Sequence, residues 1–191
     1  AGYEVSRVEV RGVERMNEVA VYERVLGVHD RAMPLVDLGE LRASLMQLPY
    51  VRDARVSRQL PDTIVVDIVE REPHAVLRTG GRLALIDGTG HVLEPISAAD
   101  AKKRLVVSGE EAETQVEALG ELLAAAPALQ EQVTEAEWVG KRRWNITFVT
   151  GQVLALPAGE ERSRAALMSF ARLDGANQLL GGRVAAFDMR N

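Results

Sequence analysis

The sequence contains no cysteine, which excludes disulfides, thiolate metal sites and any mechanism with a Cys nucleophile. Histidine is scarce. His29, His74 and His91 fall in unrelated local contexts, and none has the His-x-x-x-His or carboxylate-flanked spacing that suits a metal. There is no Gly-x-Ser-x-Gly elbow. No Gly-x-Gly-x-x-Gly or Gly-Lys-Ser/Thr pattern makes a phosphate loop, so the Gly88/Gly90 pair reads as a hairpin turn. Signal peptide, membrane-length apolar run, low-complexity segment and internal repeat are all missing. The carboxylates within 110–121 and at Glu160 and Glu161 read as solvated faces and helix caps, and nothing in the sequence indicates a glycosidase-type pair. Catalysis has little to rest on, and no metal or cofactor is expected.

What remains has globular proportions: 47% apolar and 27% charged residues. The 191 residues leave room for one large or two small domains, each with a core. A formal net charge of −5 argues against nonspecific binding to nucleic acid or anionic lipid. The chain opens Ala1-Gly2-Tyr3 and closes Met189-Arg190-Asn191 within a strand pattern, so both ends read as cut from something longer.

The first half is organised around Tyr50–Pro73. Val51–Arg58 reads as a strand carrying Arg52, Asp53, Arg55 and Arg58, a charge content suited to a sheet edge. Thr63–Arg71 reads as a second strand, with Ile64, Val66 and Ile68 on one face and Val65, Asp67 and Val69 on the other, hence central. Gln59-Leu60-Pro61-Asp62 supplies the turn between them. Ahead of this hairpin, Tyr3–Val10 alternates as a strand closed by Gly12. Asn17 is placed to cap a helix that runs to Leu26 and Gly27, with Val21/Val25 and Tyr22/Leu26 as its buried pairs. Residues 28–34 read as a loop. Asp37 with Glu40 three residues on is a capping-box spacing, and Leu38, Leu41, Leu45 and Leu48 follow as a core stripe ended by Pro49. The order strand-helix-helix-strand-strand predicts two helices on one face of a three-stranded sheet.

After Pro73 the strands shorten. Ala75–Arg78, Arg82–Asp87 and His91–Glu94 are separated by Gly-rich turns, and Leu105–Val107 follows. Glu111–Ala125 reads as a helix with Val116, Leu119 and Leu123 on one face. Val133–Val139, Trp144–Val149 and Gln152–Leu156 read as a meander, with Thr150-Gly151 as a turn. Glu160–Leu173 reads as an amphipathic helix with Leu167 and Phe170 inward and Gly175 as its C′ residue. Arg183–Met189 reads as a closing strand. Two surfaces stand out: Lys141-Arg142-Arg143 immediately before Trp144, and the terminal strand with Arg190. Arg beside an aromatic suits a protein interface, while the same run also reads as a solvated turn before a strand; an exposed strand suits β-augmentation.

These residues carry a resemblance. The run Val5-Ser6-Arg7-Val8-Glu9-Val10-Arg11-Gly12 and the segment from Leu48-Pro49-Tyr50-Val51-Arg52-Asp53-Ala54 to Val69-Glu70-Arg71-Glu72-Pro73 resemble a POTRA domain of the FtsQ/DivIB cell-division family. Leu85-Ile86-Asp87-Gly88-Thr89-Gly90-His91-Val92 and Phe187-Asp188-Met189-Arg190 are similar to that family's hairpin and closing strand. The resemblance implies an α+β protein: a β-α-α-β-β POTRA domain over 1–73, then a mixed or antiparallel β domain with flanking helices over 74–191. It implies a non-catalytic divisome scaffold, anchored in the inner membrane by one helix ahead of Ala1, with this chain in the periplasm. It also implies the partners FtsB and FtsL and a role in recruiting septal cell-wall synthesis proteins.

Carried over by position, the partner surface comprises Arg142, Arg143 and Trp144 with Phe187, Asp188, Met189, Arg190 and Asn191, and a recruitment patch falls at Val56 and Arg58. The family chain continues past its Asp-Leu-Arg motif into another edge strand. This sequence stops at Asn191, so the best augmentation edge is expected to be missing or incomplete. The alternative is a POTRA module of an outer-membrane assembly or secretion protein that captures substrate strands by augmentation.

Overall fold

A computed structural model describes residues 4–26 and 32–191, and the chain divides into two compact units, Ala1–Glu72 and Pro73–Asn191. Tyr3 as a strand start, Gly27 as a helix stop, His29 and most of the 28–34 loop lie outside the described residues.

In the first unit β1 (Arg7–Arg11), β2 (Val51–Gln59) and β3 (Thr63–Glu70) form one sheet in the order β1-β3-β2. The Ile- and Val-rich β3 is central, parallel to β1 and antiparallel to β2. Helices α1 (Glu18–Val25) and α2 (Leu38–Met46) begin at their expected caps. The Asn17 side chain accepts the Val19 amide at 3.0 Å, and the Asp37 side chain accepts the Glu40 amide at 3.1 Å. Val21, Val25, Leu41 and Leu45 bury against Ile64, Val66 and Ile68 in a single core, with Leu38 and Leu48 packed at its margin.

The other pair on α1 turns away from that core: Tyr22 and Leu26 are 37% and 64% exposed. Spacing of i,i+4 defines a stripe but not which stripe meets the sheet. The second face of β3 is likewise covered only in part, with Val65 buried and Val69 exposed.

Two features fix the loop after β1. Gly12 has φ 85°, and a Cβ there would lie 2.0 Å from the Ile68 carbonyl oxygen, so only glycine allows this approach to β3. The Glu70 carboxylate accepts the amides of Glu14, Arg15 and Met16 at 2.7, 3.0 and 2.7 Å. Burial alone pushes this carboxyl up, but the three amide bonds outweigh it and hold Glu70 below the usual carboxylate range.

The second unit is one sheet of β4 (Pro73–Thr79), β5 (Arg82–Asp87), β6 (Val92–Pro95), β7 (Val106–Ser108), β8 (Val133–Val139), β9 (Arg143–Phe148), β10 (Val153–Ala155) and β11 (Ala186–Asp188). Its order is β11-β10-β9-β8-β7-β4-β5-β6. The hairpins β4-β5-β6 and β8-β9-β10 are antiparallel. The steps β4-β7, β7-β8 and β10-β11 are parallel, and a parallel step needs a crossover connection. The short α3 (Ala98–Ala101) precedes β7. α4 (Val116–Ala124) and α5 (Pro127–Gln130) lie between β7 and β8, and α6 (Glu160–Asn177) between β10 and β11. Leu119, Leu122 and Leu123 of α4 and Leu167 and Phe170 of α6 share one core with Ile86, Ile146, Phe148 and Leu154 of the sheet.

Several expectations are corrected here. The predicted helix 111–125 splits into a 3-10 turn, Ala112–Gln115, and α4, because Glu111 sits at φ 61° and starts the segment in a left-handed conformation. Gly175 is not a helix stop. It faces open space, where a glycine within a helix costs only about 1 kcal/mol. α6 continues to Asn177, and Gln178 at φ 52° makes the reversal, its amide bonding the Asp174 carbonyl at 2.7 Å. The closing strand is three residues long rather than seven, since 183–185 belong to a loop pinned from β10. The 87–90 turn is filled by Asp87, whose carboxylate accepts the Thr89 and His91 amides, each at 2.9 Å.

Candidate functional site

β11 is the edge of the eight-stranded sheet, in register with β10 through Val153↔Ala186, Leu154↔Phe187 and Ala155↔Asp188. Its ladder extends on both sides, Val153 N–H to the Ala185 carbonyl at 3.1 Å and Met189 N–H to the Ala155 carbonyl at 2.9 Å. Strand alternation then sorts the side chains. Phe187 turns inward, its ring 4.9 Å from that of Phe170, and Phe170 stacks on Phe148 at 5.8 Å. Met189 packs against the same core. Asp188, Arg190 and Asn191 are exposed.

Asp188 and Arg190 hold each other in a bidentate pair, Nε to Oδ1 at 2.8 Å and Nη2 to Oδ2 at 2.7 Å. The Arg190 side-chain bond, then its backbone amide, with the charges of Arg190 and Arg143 adding, pulls the Asp188 carboxyl down to about 2. The pair stands in water, so it orients Arg190 more than it stabilises the fold.

Arg143 belongs to the same face. Asn145 of β9, Ala155 of β10 and Asp188 of β11 form one row across the sheet, and Arg143 lies two residues along β9 from that row. Its Nη1 donates to Asn145 Oδ1 at 2.7 Å. The arginine turn and the terminal strand thus build one electrostatic surface. Among the described residues no hydrogen bond or ion pair holds the exposed Arg142 side chain. Lys141 is drawn toward Glu110 at 3.2 Å and Glu111 at 3.8 Å, and its ammonium is held above its ordinary value, first by Glu110.

Trp144 departs from the expected contact role. It is 4% exposed, on the inward side of β9 with Ile146 and Phe148, and its ring lies 4.8 Å from that of Trp138. It supports the surface from beneath.

Sequence reasoning missed the residue that places β11. Gln152 is buried, and its amide nitrogen donates to the carbonyls of Leu179 at 3.1 Å and Val184 at 2.6 Å. Its oxygen accepts from the Gly181 amide and the Thr150 hydroxyl, each at 2.8 Å. Asp174 adds a bond to the Leu180 amide at 2.8 Å. These contacts fix 179–184 against the start of β10. The bonds from Gln152 to that loop span 27 to 32 residues in sequence, so no local pattern announces them.

The second predicted patch lies on β2, an edge of the first unit's sheet. The outward polar groups of Ala54 are both taken: its amide donates to Asp53 Oδ1 at 2.9 Å and its carbonyl accepts from Arg42 Nε at 2.8 Å. Arg42 also pairs with Asp53 at 2.8 Å, and that bond is the main reason the Asp53 carboxyl is held low. Alternate residues of an edge strand point their amides outward, so the next open positions are Val56 and Arg58. Their side chains are committed elsewhere. Val56 packs against the core, and the Arg58 guanidinium donates to the carbonyls of Val36 at 2.6 Å and Met33 at 3.3 Å. This patch offers backbone rather than side chains.

Among the described residues no helix is long and apolar enough to cross a membrane, and no group of His, Cys, Asp and Glu could hold a metal ion.

Compared with known families, residues 75–190 match the C-terminal part of the cell division protein FtsQ/DivIB, and residues 4–71 match the FtsQ-type POTRA domain. The chain is 64% identical over 190 residues to the cell division protein FtsQ of Novosphingobium aromaticivorans, covering 100% of this chain and 59% of that protein. It is 40% identical to the cell division protein FtsQ of Zymomonas mobilis, covering 99% of this chain and 60% of that protein. The chain thus spans about 60% of the length of these curated relatives. The solved extracytoplasmic domain of the cell division protein DivIB from Geobacillus stearothermophilus aligns with a TM-score of 0.39 at 16% identity, over 57% of this chain and 95% of that one.

Proposed function

Because this chain belongs to the FtsQ/DivIB family of cell division proteins, we propose that it is a non-catalytic divisome scaffold whose second unit binds the periplasmic segments of FtsB and FtsL. It helps to recruit septal cell-wall synthesis proteins. The whole protein is held in the inner membrane by a single helix, with this part in the periplasm.

One observation carries the reading. β11 is a short edge strand, anchored inward by Phe187 and Met189, that displays Arg190 beside the cationic Arg142/Arg143 turn. Such an edge suits strand addition by an extended partner segment, and the arginines suit acidic side chains on either side of it. Arg142 is the freer of the two exposed arginines, while Arg190 is pre-oriented by Asp188. Phe187, Met189 and Trp144 act from below, and Asn191 lies at the open end. The recruitment patch is the β2 edge at Val56 and Arg58.

The outer-membrane assembly alternative loses weight, since residues 75–190 match a cell-division domain.

Titrating the FtsB periplasmic segment against Arg190→Glu tests the reading. We expect affinity to fall more than about tenfold, roughly 1.4 kcal/mol, with the melting temperature nearly unchanged. An unaltered affinity would remove Arg190 from the site, and an unaltered affinity in Arg142→Glu as well would overturn the proposed surface.

A further inference from the structure

The first unit has one pole at which its chain enters. β1 begins, β2 ends and β3 begins there, since Arg7 and Gln59 both pair with Thr63. The Ser6 and Arg7 amides bond the Asp62 carbonyl at 2.9 and 3.3 Å, and Glu4 bridges to Ala32. Arg58 pins a 3-10 turn, Met33–Leu35, at the same pole through the Met33 and Val36 carbonyls. α1 starts beyond the 14–16 loop, which Glu70 holds at the far end of β3, and runs back to end at Leu26.

This pole displays leucine. Leu60 in the turn between β2 and β3 is 74% exposed, Leu35 73% and Leu26 64%. They are three of the four most exposed large apolar side chains among the described residues. Val25, Met33 and Val36 are buried, so neighbouring positions already close the core without these leucines. A turn such as 59–62 ordinarily carries small or polar residues at its tip. Apolar side chains scattered singly over a surface need no explanation, but three at one end of one small unit form a set.

What covers them follows from what else is at the pole. Arg7 opens β1 here, so any segment ahead of Ala1 reaches the unit from this side. On the reading above that segment leads to the membrane helix, and the present inference rests on that reading. The relatives described above extend well past the matched part, which is 59% and 60% of their lengths. The charges described near the pole are mixed, Glu4, Glu23 and Asp62 against Arg7 and Arg58. Anionic headgroups therefore gain little, which leaves apolar insertion as the attractive force. Such insertion is weak for a free protein, but an anchored one keeps its bilayer at a high effective concentration.

We propose that Leu26, Leu35 and Leu60 form a lipid-facing pole that dips into the headgroup boundary of the bilayer and orients the first unit on it. β2 then runs away from the bilayer, with its open edge in water.

The chain has no cysteine, so Leu35→Cys, Leu60→Cys and, at the far end, Glu14→Cys can each carry one polarity-sensitive dye. A histidine tag ahead of Ala1 tethers the 191-residue chain to phosphatidylcholine vesicles through nickel-chelating lipid. Dyes at 35 and 60 should shift to the blue and be quenched by nitroxide-labelled lipid, while the dye at 14 stays in water. Leu35→Asp should lower the ratio of docked to undocked protein, read at 60, at least about tenfold. Its melting temperature should not change, and added salt should alter docking little. Dyes at 35 and 60 that stay in water, equal quenching at 14, or an unchanged ratio in Leu35→Asp would each overturn the proposal. Shielding at 35 or 60 that requires a second copy of the chain or the FtsB segment, rather than lipid, would assign the leucines to a protein contact and overturn it too. The tether supplies the bilayer independently of any natural anchor, so the anchor is tested apart. Full-length protein recovered without membrane sinks the anchor reading whatever the dyes report.

Discussion

Each unit ties a loop to its sheet with one buried or half-buried side chain, and the two side chains differ in kind. In the first unit Glu70 gathers three backbone amides of 14–16. In the second, Gln152 bonds two carbonyls, one amide and one hydroxyl. A carboxylate only accepts, so it fits a loop that presents amides. A carboxamide both donates and accepts, so it fits a loop that presents both kinds of group. The ionised clamp is sensitive to acid and the neutral one is not.

The sharpest break is Gln152→Glu, which replaces the donor to Leu179 and Val184 with a buried charge facing two carbonyls. We expect a loss of about 3 kcal/mol in urea unfolding and early hydrogen exchange across 179–189. A loss below about 1 kcal/mol would mean that β11 holds its place without Gln152. Glu70→Gln is milder, since one acceptor oxygen remains and the site is partly solvated. A loss of about 1–2 kcal/mol is expected, with exchange quickening at 14–16.

Acid separates the clamps without mutation. Glu70 is depressed in the folded state from its ordinary 4.5, so its contribution is complete above that value and fades as the pH falls through the folded value. Protection of the 14–16 amides, corrected for intrinsic exchange, should fall on acidification below pH 4.5, while protection at 181 should not follow it. Parallel loss at both loops would erase the distinction. The smallest effect is expected of Asp188→Asn. Releasing Arg190 should leave the melting temperature unchanged and alter FtsB affinity by roughly threefold or less; a larger fall would make Asp188 itself a contact.

The same contrast marks what the sequence could reveal. Asn17, Asp37, the Leu41/Leu45 stripe and the centrality of β3 were legible because each depends on neighbours a few residues away. Glu70 and Gln152 choose partners 54–56 and 27–32 residues distant, where spacing carries no signal. Gly175 misled for a related reason: a helix-stopping residue was present, but the helix bonds around it persist to Asn177. Of the proposed partner surface, the charges were readable and their directions were not. Trp144 and Arg143 are adjacent in sequence and occupy opposite faces of β9.

The clamp of Arg42 and Asp53 over Ala54 has a consequence in time. A visiting strand at β2 cannot bond at Ala54, and beyond that point it meets outward backbone from Val56 to Gln59, room for a few ladder bonds. A contact so short forms quickly and dissolves quickly, the behaviour of a relay rather than of a permanent joint. Arg42→Ala would free the Ala54 carbonyl while Asp53 keeps the amide, and a longer bound lifetime in that variant, at an unchanged rate of arrival, would mark the clamp as a timer.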